Sequence, residues 1–162
     1  MTLGSHQTTV GKSQDWITPK HILGALGPFD LDPCASKNQP WPTAATMLTV
    51  GGLSTAWRGM VWLNPPFDRY AVSMWVECMA EHNNGIALLH ARTEAAWFLP
   101  CWQHAKAMLF LADRLYFHRP NGVRAKANSG APAVLVAFGA VACERLLTAK
   151  LSGAFVTSWG LK

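Results

Sequence analysis

The chain has 162 residues, half of them hydrophobic and 14% charged, which fits one globular domain with a large core and excludes a disordered tail. No run reaches the roughly 18 apolar residues of a membrane span, and the polar start lacks a signal-peptide core, so we expect a cytoplasmic protein. The net charge of +5 favours an anionic partner, for which nucleic acid is the usual candidate.

The first part of the chain is predicted to begin with a flexible arm over residues 1–14, followed by one domain over residues 15–162. A Thr-Pro pair is typical of a helix start, so a short helix is predicted over residues 18–26. The sequence Phe-Asp-Leu-Asp at 29–32 is predicted to form a short strand, which the following proline ends.

The middle of the chain contains the most informative motif. After an irregular stretch over residues 36–56, a predicted strand at 60–63 runs directly into Asn64-Pro65-Pro66-Phe67. Two prolines carry no backbone N–H, so the strand must stop and the chain leaves the sheet in a fixed, extended turn. Open α/β sheets bind their ligands at this carboxyl end of the strands.

The residue types in this turn suit a planar amino group. The Asn64 side-chain oxygen and the Pro65 carbonyl can accept its two N–H bonds, while Phe67 stacks on the heterocycle that carries it. Hydrogen bonds drawn to one side move the nitrogen towards tetrahedral geometry, so its lone pair becomes nucleophilic. An ordinary Pro-Pro loop after a strand is the alternative interpretation.

The rest of the chain is predicted to alternate helices and strands. The expected elements are a helix at 71–81, a strand at 86–89, a helix at 94–104, strands at 107–111 and 115–117, a loop at 118–132, a strand at 133–138, a helix at 143–150 and a last strand at 154–159. This alternation predicts an α/β fold with a mostly parallel central sheet and helices on both faces.

Further motifs accompany the turn in a fixed order. They are Asp15-Trp16-Ile17-Thr18-Pro19, Phe29-Asp30-Leu31-Asp32-Pro33-Cys34-Ala35, Gly52-Leu53 with Trp57, Trp62-Leu63 before the turn, Leu88-Leu89-His90-Ala91-Arg92-Thr93-Glu94, and the strand that ends at Gly139. Their order resembles the phage and prophage DNA N6-adenine methyltransferase family. The resemblance implies a single-domain, Rossmann-like fold and methyl transfer from S-adenosylmethionine to adenine in double-stranded DNA, with limited sequence selectivity.

The resemblance also implies roles for individual residues. Asp32 would hold the methionine part of the cofactor, with Asp30 as the alternate, although an ordinary strand-end turn also explains both. The implied catalytic residues are Asn64, Pro65, Pro66 and Phe67, and the implied cofactor-binding residues are Trp16, Thr18, Pro19, Asp30, Asp32, Pro33, Cys34 and Ala35.

Basic residues near these motifs are candidates for contacts with DNA phosphates. The loop from Arg114 to Lys126 carries no acid, which suits phosphate contacts or a merely solvated loop. Arg92 is equally suited to a phosphate or to pairing with Glu94 or another acid of the core. The DNA-binding candidates are Arg69, Arg92, Arg119, Arg124 and Lys126.

Some positions depart from the family pattern. No Asp or Glu lies between Pro33 and Arg58, where many relatives carry an acid for the cofactor ribose. His90 replaces a proline that is common in relatives, and a packed side chain is expected there rather than one facing a pocket. The cysteines lie far apart without a Cys-x-x-Cys pair, so no metal site is expected.

Two other functions remain open from the sequence. The Asn-Pro-Pro-aromatic motif also occurs in enzymes that methylate protein glutamine or guanine amino groups in RNA, although those usually carry a glycine-rich first motif that this chain lacks. A non-catalytic DNA-binding relative is the other alternative, because the ribose carboxylate is missing. No motif indicates an oligomeric state.

Overall fold

A computed structural model describes residues 16–68 and 70–161, and this part of the chain forms one α/β domain. The predicted arm at 1–14, Asp15 and Arg69 lie outside the described residues. The strands are β1 (Leu31–Asp32), β2 (Thr46–Met47), β3 (Val61–Leu63), β4 (Gly85–His90), β5 (Ala107–Leu111), β6 (Ala133–Phe138) and β7 (Gly153–Val156). The helices are α1 (Lys20–Leu26), α2 (Ala71–His82), α3 (Leu99–His104) and α4 (Ala140–Thr148).

The strands form one sheet in the order β2-β1-β3-β4-β6-β5-β7. Pairing is parallel from β2 to β4, but β6 lies antiparallel between β4 and β5, and β7 is antiparallel to β5. The antiparallel pairs are the longer ones, so the prediction of a mostly parallel sheet is corrected to a mixed sheet. The chain enters β6 through the long loop after β5 and not through a helix, which permits antiparallel pairing.

Helices cover both faces of the sheet, as the alternation of elements predicted. On one face, Ile22 of α1 and Leu146 of α4 are buried with Trp62 of β3. On the other face, Val76 of α2 and Cys101 of α3 are buried with Leu63. Neighbouring residues of β3 thus contribute to opposite cores, as the period of a strand requires. No helix in residues 16–68 and 70–161 is long and apolar enough to cross a membrane.

Two predictions about strands differ from the structure: one strand was not predicted, and one predicted strand does not form. The stretch 36–56 contains β2, whose two residues are exposed and pair only with β1, so no apolar pattern marks them. The prediction of a strand at 115–117 is wrong. Leu115 and Phe117 are buried alternately, but their carbonyl oxygens accept hydrogen bonds from Ser129 and Ala125 of the same loop.

The helix predicted at 94–104 is shorter than expected. Residues Ala96–Phe98 form a turn of 3-10 helix, and the α-helix begins only at Leu99. Pro100 stands in the first turn of α3, the part of a helix in which a missing N–H breaks no internal hydrogen bond. The proline therefore explains why the α-helix begins at Leu99, later than the predicted start at residue 94.

The parallel half of the sheet brings the two motif-bearing turns together. Leu31 of β1 pairs with Val61 of β3, so both strands end at the same edge of the sheet. The turn that begins at Pro33 and the turn that begins at Asn64 therefore lie side by side. The Cys34 thiol donates a hydrogen bond of 3.3 Å to the Asn64 carbonyl oxygen and links the two turns directly.

Candidate functional site

A cavity of about 240 Å³ opens at the carboxyl edge of β1 and β3. Its walls are formed mainly by residues 16–18, 32–36, 49–52 and 64–67. Pockets that enclose a whole small ligand usually measure roughly 300–1,000 Å³, so this cavity encloses only part of a nucleoside-sized ligand.

Asn64 lines this cavity with a fixed side-chain orientation. Its Nδ2 atom donates to the Trp16 carbonyl oxygen at 2.8 Å and to Thr18 Oγ1 at 3.2 Å. The Trp16 carbonyl oxygen can only accept, so it fixes which end of the Asn64 amide faces it. The Oδ1 atom is buried and has no hydrogen-bond partner among the described residues. A buried acceptor without a partner is costly, so this oxygen suits a donor supplied by a ligand.

Phe67 also lines the cavity and stacks on His90. The two ring centroids are 3.8 Å apart and the planes are tilted by only 10°. Burial, and then the charge of Arg92, lower the pKa of His90 to about 4, so the imidazole is neutral at pH 7. His90 is not among the residues that line the cavity, in agreement with the packed side chain that the sequence favoured. Its ring supports Phe67 from one side.

Asp32 is the buried carboxylate of the site. One of its oxygens accepts the Cys34 N–H at 3.0 Å, and the other accepts the Thr43 hydroxyl. Burial raises the pKa of Asp32 to about 6, although both hydrogen bonds act in the opposite direction. Each carboxylate oxygen has a second lone pair, so Asp32 can still accept a hydrogen bond from a ligand.

A family comparison identifies the chain. The family model for DNA N-6-adenine-methyltransferase (Dam) matches residues 5–152. The chain belongs to this family. No curated protein and no solved structure matches it. Membership confirms the resemblance seen in the sequence and implies DNA N6-adenine methyltransferase activity in general terms.

Of the other residues predicted to bind the cofactor in this Dam-family protein, the structure places some at the cavity and one away from it. Pro33, Cys34 and Ala35 line the cavity, as do Trp16 and Thr18. Pro19 does not, and it is Pro19, one residue later than predicted, that caps α1. The Thr18 hydroxyl accepts a hydrogen bond from Asn64, and no side chain caps α1.

Asp30 lies outside the cavity of this family member. Its carboxylate accepts the Met60 N–H at 2.6 Å, before β3 begins. A Cβ atom on Gly59 would stand 2.4 Å from the same carboxylate, which shows how closely it packs there. Asp30 therefore fixes the opposite end of β3, and the structure does not bring the alternate cofactor residue to the site.

Residues 49–52 form a cavity wall for which no role was predicted from the sequence. A Cβ atom on Gly52 would stand 1.7 Å from the Pro33 carbonyl oxygen, so only glycine fits there. The Trp57 indole donates to the Gly52 carbonyl oxygen at 2.8 Å, which explains the Gly-Leu-x-x-x-Trp spacing. The Gly-Leu-x-x-x-Trp motif was the feature of the sequence from which this wall could have been predicted. Trp62, whose buried Nε1 has no partner within the described chain, and Trp75 also line the cavity.

Neutral polar side chains face the cavity where the sequence lacks an acid. They are Ser36, Gln39, Thr43 and Thr49. Thr43 is committed to Asp32, and the Gln39 side-chain oxygen accepts the Ser36 N–H at 3.3 Å. Amides and hydroxyls, rather than a carboxylate, are therefore the groups this methyltransferase offers to a ligand along that wall.

The candidate DNA contacts lie outside the cavity. Arg92 follows β4, whereas Arg119, Arg124 and Lys126 are exposed in the loop before β6. The Arg124 guanidinium lies 4.0 Å above the ring of Tyr116. Within residues 16–68 and 70–161, no group of three or more His, Cys, Asp or Glu side chains could hold a metal ion.

Proposed function

We propose that the protein transfers a methyl group from S-adenosylmethionine to the N6 amino group of adenine in double-stranded DNA, with limited sequence selectivity. The parallel half of the sheet supports a Rossmann-like arrangement in which cofactor and base meet at the carboxyl edge. The resemblance to phage and prophage enzymes supports an origin in such an element and action in the cytoplasm of a bacterial host.

The observation that carries this proposal is the unpaired Oδ1 of Asn64. Its Nδ2 is held by Trp16 and Thr18, so Oδ1 is aimed before any ligand arrives. An acceptor that is oriented in advance costs no reorganisation during the reaction. In this proposal Oδ1 and the Pro65 carbonyl oxygen accept the two N–H bonds of the adenine amino group.

The cavity residues fit a ligand with an ammonium group and a carboxylate. Asp32 would accept the cofactor ammonium, and residues 16–18 and 33–35 would surround its methionine part. Bound there, S-adenosylmethionine supplies an electrophilic methyl group on a sulfonium sulfur. The neutral wall formed by Gln39 and Thr49 would face the ribose in place of the missing acid.

The target base must leave the duplex to reach this edge, at a cost of a few kcal/mol. Phe67 offsets part of that cost by stacking on the base, and His90 holds its ring in place. The adenine nitrogen would displace the sulfonium sulfur from the methyl carbon, so the C–S bond breaks as the C–N bond forms, S-adenosylhomocysteine leaves and one N6 proton is lost to solvent. No enzyme nucleophile is needed. Burial and the nearby Asp32 raise the pKa of the Cys34 thiol well above its ordinary value, which disfavours a reactive thiolate.

Basic residues around the site would contact the DNA backbone. Arg92, Arg119, Arg124 and Lys126 are the candidates among the described residues, and Arg69 is a further candidate from the sequence. Phosphate contacts of this kind position the duplex without reading its sequence.

A comparison of three substrates tests the proposal. The protein would be incubated with labelled S-adenosylmethionine and, in separate reactions, duplex DNA, RNA of the same sequence and a glutamine-containing peptide. We expect label in the duplex alone. Label in RNA or peptide would show that RNA or protein, and not DNA, is the substrate. DNA binding without any S-adenosylmethionine binding in calorimetry would indicate a non-catalytic relative.

Replacement of Phe67 by alanine should lower turnover. Base stacking is worth roughly 1–3 kcal/mol, which corresponds to a loss of about 5- to 150-fold. Phe67→Tyr keeps the ring and should retain most activity. His90→Ala removes only the supporting ring and should cost less than Phe67→Ala. Steady-state kinetics on duplex DNA check this order, and an inactive tyrosine variant would contradict a stacking role.

The affinity for S-adenosylmethionine should depend on the protonation of Asp32. Below its pKa of about 6 the carboxyl group is protonated and neutral, so it no longer attracts the cofactor ammonium. The dissociation constant should therefore be constant near pH 8 and rise about tenfold between pH 7 and pH 5. Calorimetry between pH 5 and pH 8 measures this. In Asp32→Asn the binding should be weaker and nearly independent of pH, and a parent protein without pH dependence would count against the ammonium contact.

A further inference from the structure

A second cleft, of about 560 Å³, opens beside the cavity. Its walls come from the start of α1, the segment after β5, the loop around His118 and Arg124, and the segment between α4 and β7. Both β5 and the parallel strands end at the edge of the sheet that carries the cavity. The cleft therefore lies on the same side of the molecule as the turn at Asn64.

Positive charge dominates this cleft. It is lined by Arg114, Arg124 and Lys150 together with two histidines, His21 and His118. Among the described residues that line it, Asp113 is the one acid. Burial lowers the pKa of His118, and the neighbouring Arg124, His21 and Lys20 act in the same direction. Basic side chains therefore outnumber acidic ones among the described residues that line the cleft.

The basic residues that line the cleft differ in how they are held. The Nδ1 atom of His118 is buried and has no hydrogen-bond partner in the described part of the chain. Arg124 is steadied by its position over Tyr116, whereas Arg114 and Lys150 are exposed at the rim. The charges come from separate segments around a volume much larger than one phosphate group, which suits an extended polyanion.

A single wall separates the cleft from the cavity. Ile17 lines the cavity and His118 lines the cleft, and their backbones exchange two hydrogen bonds of 3.0 Å and 2.9 Å. A chain of phosphates lying in the cleft would therefore pass next to the segment whose Trp16 carbonyl holds Asn64.

We propose that this cleft binds the sugar-phosphate backbone of DNA next to the base that enters the cavity. The inference rests on the proposed function for its choice of polyanion. Arg114, Arg124 and Lys150 contact phosphates there. Arg114 and Arg124 belong to the basic loop that the sequence indicated, whereas Lys150 lies outside it. Such contacts set the position of the duplex without sequence preference.

Paired charge variants test the cleft. Arg114→Gln with Lys150→Gln removes two cations from its rim. Arg58→Gln with Lys106→Gln is the matched control, because both residues are exposed, lie just before β3 and β5 at the opposite edge of the sheet, and change the net charge equally. Binding of a fluorescent duplex would be measured by anisotropy over a range of salt concentrations, with calorimetry for S-adenosylmethionine and melting temperatures for all variants.

The cleft variant should bind DNA at least about tenfold more weakly, and its slope of log affinity against log salt should be shallower by about 1.8, since each phosphate contact contributes roughly 0.9. The control should keep the parent slope, and both should bind S-adenosylmethionine like the parent. Equal losses in the two variants, or a parent slope in the cleft variant, would overturn the proposal. A protein that shows the cleft effect but forms no N6-methyladenine would refute the proposed function and leave the cleft standing.

Discussion

Asn64→Ala is expected to lower methyl transfer roughly 100- to 1,000-fold, the usual cost of removing one oriented hydrogen-bonding group from a reacting centre. The substitution deletes the buried Oδ1 atom, which accepts no hydrogen bond from the described residues. Affinity for S-adenosylmethionine should change little, because Asp32 and the turn after β1 are untouched. Single-turnover rates and calorimetry on the same preparation separate these two effects.

The same substitution also releases Trp16 and Thr18, so a control must remove only that anchoring. Thr18→Val deletes one acceptor of the Asn64 Nδ2 and leaves Oδ1 in place. A neutral hydrogen bond is worth about 1 kcal/mol, so this variant should lose less than about tenfold in rate. If Asn64→Ala reacts at the parent rate, or if Thr18→Val is equally inactive, Oδ1 is not the group that matters.

Gly52→Ala is expected to abolish cofactor binding through a purely steric effect. The new Cβ atom would stand 1.7 Å from the Pro33 carbonyl oxygen and 3.0 Å from the Trp75 ring. Pro33 follows β1 directly, so the strand end cannot yield without moving Asp32. The wall at 49–52 must therefore move away, and we expect the affinity for S-adenosylmethionine to fall by at least about 100-fold.

Gly51→Ala is the matched control for this wall. Gly51 has a φ of +71°, but the nearest atom to an added Cβ is the Ser54 hydroxyl oxygen at 3.6 Å. The change costs about 1–2 kcal/mol of backbone strain without an overlap. Its melting temperature should fall modestly and its cofactor affinity should stay within about tenfold of the parent. A Gly52→Ala protein with parent affinity and melting temperature would contradict the contact with Pro33.

Local chemistry explains why the turn after β3 could be predicted. Two prolines end a strand wherever they occur, and the apolar run before Asn64 needs no distant partner to be recognised. The periodicity of α2 is equally local, and that helix was predicted to within one residue. Of the parallel neighbours, only β3 and β4 are joined through a helix, α2, as the predicted alternation requires.

Features that depend on strand register could not be predicted in the same way. Asp30 and Asp32 lie two residues apart in one motif, and only the pairing of β1 with β3 sends Asp30 to Met60 and Asp32 to the cavity. The antiparallel insertion of β6 has no local signal, because its residues are apolar in either direction. The contact of Gly52 with Pro33 lies between two segments without regular secondary structure, so no periodic pattern in the sequence indicates it.

The position of His90 lies between these cases. Its apolar strand was predicted, and its replacement of a proline was visible in the sequence. The stack on Phe67 arises because β3 and β4 are parallel neighbours that end at one edge. Sequence reasoning favoured packing over a place in the pocket, but its partner became evident only from the sheet order.

Identification of the methylated base tests the central claim most directly. The protein would be incubated with labelled S-adenosylmethionine and unmodified duplex DNA, and the DNA would then be digested to nucleosides and separated. The account predicts label in N6-methyladenine with the parent protein and almost none with Asn64→Ala. Label in another base, or equal label with both proteins, would contradict it.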